Sequence, residues 1–187
     1  MEIYENAKKA YYSNIFEVAR LEENVHLLAY SLIAFFTPFL LGHPQLLVGS
    51  IVNGSLILGA TYLKGHKMLP IIMLPSLGVL AKGMVFGPYT ILLMYMIPFI
   101  WVSNAIIAYV YRGMRHRKIN YAASVVSGAV IKTAFLFSCA YIFVSLGVLP
   151  ALFLTTMGLF QLYTALIGGA GAYAVIKVRE LALKGSA

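Results

Sequence analysis

Four polar side chains stand deep inside long apolar runs: Asn53, Asn104, Lys132 and Gln161. Each amide offers a donor and an acceptor, and an ammonium offers three donors and a positive charge. Converging, they could hold a carboxylate, a phosphate, a carbonyl or ordered water. Lys132 is the most telling of them. A charge at membrane depth costs about 2.5–3.5 kcal/mol or more unless it faces protein or water. No carboxylate can pair with it. The chain has no aspartate, and its glutamates are Glu2, Glu5, Glu17, Glu22, Glu23 and Glu180. The alternative for Lys132 is snorkelling towards the nearer interface. For the amides it is plain hydrogen bonding between helices. Gln45, His43, Ser76, Lys82 and Tyr89 lie nearer the ends of their runs and are candidates for the mouth of a shared site.

The elements that must position these groups are membrane spans. Apolar residues make up 61% of the 187, more than a soluble domain can bury. They form six blocks: Val25–Leu41, Pro44–Leu63, Met68–Phe86, Pro88–Tyr111, Tyr121–Leu146 and Pro150–Ile176. A helix needs about 20 residues to cross about 30 Å of hydrocarbon. Gly, Pro and basic residues mark the short connections, so consecutive spans are antiparallel neighbours. The expectation is an all-α, six-helix transmembrane bundle over residues 25–176. An amphipathic, interfacial N-terminal helix over 1–24 precedes it, and a tail over 177–187 follows. Tyr4, Tyr11, Val18 and Val25 recur every seven residues in that first helix, which suits the membrane interface or a partner subunit. Its charges argue against a signal peptide.

Charge sets the orientation. Twelve of the fourteen basic residues fall on one side of a six-span topology, Lys82 lies on the other side, and Lys132 lies within span five. The positive-inside rule then places both termini in the cytoplasm of a cell that carries the chain in its plasma membrane. The Arg112–Lys118 run is read as topology and not as a nucleic-acid patch.

Several chemistries have no residues to run on. Without a carboxylate at depth, coupling to protons or sodium lacks its usual group. Cys139 is the single cysteine, which excludes an intrachain disulfide, a cysteine-ligated cluster and a c-type haem motif. There is no Walker A loop, no His-Glu-x-x-His and no Gly-x-Ser-x-Gly. The four histidines sit near span ends, so a bis-histidine haem in the membrane centre is not expected. An enzyme and a resident cofactor are not expected either.

Two stripes and three prolines bear on packing. Gly158, Gln161, Ala165, Gly168 and Ala172 share one face of span six, where small residues allow a second helix to approach. Internal packing is one use of that face, and docking of another subunit through Gly158, Ala165, Gly168 and Ala172 is the other. Span five carries Ser124, Ser127, Ser138 and Ser145. Pro70, Pro75 and Pro98 can free carbonyls that need a cavity or protein beside them.

These features, taken with Gly42-His43-Pro44-Gln45, Gly49-Ser50-Ile51-Val52-Asn53, Leu74-Pro75-Ser76, Gly83, Met96-Ile97-Pro98-Phe99-Ile100 and Ser103-Asn104, resemble the substrate-binding S component of energy-coupling factor transporters, specifically an S-component-like group of bacterial and archaeal membrane proteins. The similarity covers about 70 residues, His43–Arg112. It implies a pocket near the outer face for a vitamin-sized solute or a metal ion. It also implies a membrane-embedded coupling subunit with two cytoplasmic ATPases. Span one departs from the family pattern of Ala-x-x-x-Ala, since Ala29 and Ala34 are five apart. The expected function is therefore a solute-binding subunit of a multicomponent importer, with membrane lipid around it. The competing expectations are a structural subunit without a solute and a solitary facilitator, for which Pro44-Gln45 is similar to a PQ loop.

Overall fold

A segment crossing hydrocarbon must satisfy its own backbone polar groups, and a helix does so without a partner. The computed structural model describes residues 2–41, 43–83 and 87–185, with side chains from residue 19 onward except 87–89. Every regular element among them is helical. The order is α1 (Glu2–Phe36), a π-helical turn (Thr37–Leu41), α2 (Gln45–Tyr62), a 3-10 turn (Gly65–Met68), α3 (Leu69–Lys82), a 3-10 turn (Gly87–Leu92), α4 (Leu93–His116), α5 (Tyr121–Ser145), α6 (Leu152–Met157) and α7 (Leu159–Gly185).

Among the described residues, five segments are long and apolar enough to cross a membrane: Ala19–Leu41, Gln45–Tyr62, Thr90–His116, Tyr121–Ser145 and Leu152–Gly185. The chain has the build of a multi-pass membrane protein. Its outward faces are correspondingly greasy: Val126, Val130, Ile131, Phe137, Tyr141 and Ile142 of α5 are all exposed. Of the expected third span, Met68–Phe86, the described residues show the last residue of the 3-10 turn and α3, which is not among the five. α3 has 14 residues, roughly 21 Å of helix, and 84–86 lie outside the described residues. The backbone shows no break at residue 24, because α1 runs as one helix of 35 residues. Nor does α7 pause at Ile176.

Two apolar cores hold the bundle, one at each end. Leu56, Ile57, Met68, Ile71, Ile107 and Ala129 belong to the first. Leu93, Met96, Leu136, Ala140, Phe153 and Met157 belong to the second. In sequence, Asn104 falls between Met96 and Ile107 and Lys132 between Ala129 and Leu136, whereas Asn53 lies between Val52 and Leu56 of the first core.

α2 and α7 approach each other closely. A Cβ at Gly54 would lie 3.2 Å from the Gly168 carbonyl oxygen, and one at Gly168 would lie 2.7 Å from the Gly54 nitrogen. The small residues of α7 are therefore spent inside this chain. Ala165 is 0% and Ala172 is 1% exposed. This corrects the docking expectation: a face already closed by α2 cannot receive another subunit. Gly158 is corrected too. Its backbone leaves the helical region, at φ −105° and ψ −104°, so it separates α6 from α7 and does not continue a stripe. A Cβ there would meet the Phe137 ring at 2.9 Å. The serine face of α5 is not uniformly internal, since Ser124 is buried and Ser138 and Ser145 are exposed.

One end of the bundle is tied by charge. Glu23 of α1 accepts from Lys67 Nζ at 2.8 Å and from the Lys64 backbone N–H at 2.8 Å. Glu22 pairs with Arg179 of α7, whose guanidinium lies 4.4 Å from the Tyr62 ring centroid. Arg112 of α4 caps the end of α2, donating to the carbonyls of Ala60 at 3.0 Å and Leu63 at 2.7 Å.

Candidate functional site

Four helices bring their central polar groups to one place. α5 carries Lys132, 2% exposed. Its Nζ donates to Asn53 Oδ1 at 2.7 Å and to Asn104 Oδ1 at 2.9 Å. Each asparagine is held the right way round by its own NH2. Asn53 Nδ2 donates to the Gly49 carbonyl at 2.9 Å and to Thr164 Oγ1 at 3.1 Å. Asn104 Nδ2 donates to the Ile72 carbonyl at 3.0 Å. With the nitrogens so engaged, both amide oxygens must face the lysine. Thr164 closes the chain by donating to the Gln161 carbonyl at 3.2 Å.

This arrangement can hold a charged lysine without a carboxylate. The insertion penalty for lysine at the centre of a membrane helix is about 2.5–3.5 kcal/mol. Each hydrogen bond to a charged group returns about 1.5–3 kcal/mol. Two such bonds offset the penalty. They do not neutralise the charge, because both partners are neutral amides. An ammonium has three N–H groups, and the asparagines take two.

Lys132 does not snorkel: it forms part of the lining of a cavity of about 110 Å³, together with Asn53, Asn104, Gln161 and Thr164. The walls are apolar, from Val48, Val52, Val79, Leu93, Ile100 and Phe160. α2 contributes its first half, Gln45 to Asn53, and α4 its first half, Leu93 to Asn104; α3 contributes Pro75, Ser76 and Val79 near its end. The cavity therefore occupies the half of the bundle opposite the Glu22–Arg179 end. Gln45 reaches the lining at the first position of α2, and the Gln161 side chain makes no hydrogen bond among the described residues. Pro38, from the π-helical turn, also borders it.

Ser76 lines the cavity, but its hydroxyl is spoken for. It accepts from Trp101 Nε1 at 2.7 Å and donates to the Met73 carbonyl at 2.9 Å. Lys82 is placed elsewhere and is corrected as a lining residue. It sits at the end of α3 and donates to the Leu40 carbonyl, fastening α3 to the segment after α1. His43 is exposed and lies outside the lining. The side chain of Tyr89 falls outside the described residues. Thr164 was not anticipated from sequence. Its signal was available, since it lies one helical turn from Gln161.

Among the described residues no group of three or more His, Cys, Asp or Glu side chains converges as a metal site. The cavity lining offers hydrogen-bond donors of the kind that suit an anion or a carbonyl. A metal cation would meet an ammonium with no intervening carboxylate. No family model, no curated protein and no solved structure matches this chain.

Proposed function

We propose that this chain is a solute-binding membrane subunit, S-component-like in build, whose cavity takes a small solute with an anionic head and an apolar body. Six spans, with α3 as the short third, and cytoplasmic termini complete the reading. The energy for uptake comes from a partner coupling subunit with its ATPases, not from an ion gradient. The observation that carries the proposal is the Lys132 amino group on the cavity floor, hydrogen-bonded to two neutral amides and faced by no carboxylate. A purely structural lysine would gain from a carboxylate or an exit to the interface. This one has neither.

Two experiments bear on it. In sealed vesicles containing the protein alone, candidate carboxylates should bind saturably, yet an imposed proton or sodium gradient should drive no accumulation. Ion-driven concentrative uptake would refute the energy assignment, and the absence of any saturable anion binding would refute the receptor. For topology, the chain carrying His116→Cys in a Cys139→Ala background should resist an impermeant thiol reagent in whole cells and react in inverted vesicles. Labelling of whole cells would place the basic end outside.

A further inference from the structure

A second cavity, of about 380 Å³, lies at the other end of the bundle, between the ends of α2, α4, α5 and α7. Arg112, Arg115 and Lys177 supply three cations to its lining, against the one carboxylate of Glu180. His116 stands beside them. The inner wall is aromatic. Tyr121 lies 5.6 Å from Tyr111 and 5.0 Å from Tyr173, ring centroid to centroid. Its hydroxyl is anchored on the Gly169 carbonyl at 2.7 Å. α5 begins at this wall, so its positive helix end adds to the field.

Packing accounts for only one of the cations. Arg112 caps α2, as described. Arg115 and Lys177 are exposed and, among the described residues, bond within their own neighbourhoods: Arg115 to the Ile119 carbonyl at 2.7 Å, Lys177 to Glu180 at 2.7 Å and over the Tyr173 ring at 5.7 Å from its centroid. A general excess of basic residues on one side explains their sign. It does not explain why they ring a single tyrosine-walled hollow between helices, which is the build of a receptor for anionic headgroups.

We propose that this hollow binds a phosphate group, carried either by an anionic lipid headgroup or by a free phosphate. The inference is independent of the Lys132 cavity. The test is native mass spectrometry of the full chain in neutral detergent, titrated with dioctanoyl phosphatidylglycerol and, in parallel, with dioctanoylglycerol, which has no phosphate. Wild type should take up the phospholipid and not the diacylglycerol. R115Q should weaken that uptake about fivefold, and R115Q/K177Q roughly thirtyfold. The charge-matched pair K64Q/R117Q, outside the hollow, should leave it unchanged. Displacement by inorganic phosphate would assign the site to a free phosphate, and resistance to it would assign the site to a lipid headgroup. Equal phospholipid binding by wild type and R115Q/K177Q would overturn the proposal. So would an equal loss in K64Q/R117Q, or equal uptake of the diacylglycerol.

Discussion

Gly168→Leu is expected to abolish the monodisperse, folded protein, while Gly171→Leu, three residues further along α7, leaves it intact. At Gly168 even a single Cβ would lie 2.7 Å from the Gly54 nitrogen and 3.0 Å from Asn53 Cβ, and it would collide with the Ser50 carbonyl. Two of those three atoms are backbone, so no rotamer change relieves the contact. α2 would have to move away from α7. Overpacking costs about 1–3 kcal/mol even where side chains can adjust, so Gly168→Ala should already lower the unfolding temperature measurably. At Gly171 nothing lies within 4 Å of the added atom. Gly171→Ala should be neutral or stabilising by up to about 1 kcal/mol through helix propensity. Size-exclusion profiles and thermal unfolding in detergent would check the contrast. Equal behaviour of the two leucine variants would mean that α2 and α7 do not pack as described. The same separation would break the Asn53–Thr164 bond, so partial variants at Gly168 should lose solute binding before they lose their helices.

Lys132→Met should fold and lose its ligand. Removing the charge relieves a burial penalty of about 2.5–3.5 kcal/mol. It also leaves Asn53 Oδ1 and Asn104 Oδ1 without their donor, at about 1–3 kcal/mol each. These terms nearly cancel, and water in the cavity can serve the two oxygens. An anionic solute, in contrast, loses a charge-assisted hydrogen bond of about 1.5–3 kcal/mol. At 1.4 kcal/mol per decade that is a drop of roughly ten- to hundred-and-fifty-fold in affinity. A neutral analogue of the same shape should lose much less. Isothermal titration of both ligands against both proteins separates the charge from the volume. Unchanged affinity for the anion in a well-folded Lys132→Met protein would make the lysine structural and favour a subunit without a solute.

Hydropathy made the helical class and the long crossings legible, because a membrane demands long apolar runs regardless of how they pack. Depth along those runs also picked out Lys132, Asn53, Asn104 and Gln161, which the fold assembles around one cavity. What spacing does not encode is the neighbour. The small-residue face of α7 was visible as a face, but only the fold shows that α2 already covers it. Gly158 fits the stripe arithmetic perfectly well on a continuous helix, and the break there is visible only in its dihedral angles. Lys82 shared the mouth by depth alone. Its nearest acceptor is the Leu40 carbonyl, 42 residues earlier in the chain, a contact that no local pattern announces. Thr164 escaped notice because a threonine inside a helix ordinarily bonds its own preceding turn. This one does so and also accepts from Asn53.

The measurement closest to the central claim is native mass spectrometry of protein released gently from its own membranes, comparing wild type with Lys132→Met. The account predicts a small organic acid retained one-to-one by wild type, identified on release by its negative charge, and missing from the variant. A wild-type protein that emerges empty, or one that holds a neutral compound as firmly as Lys132→Met does, would contradict it.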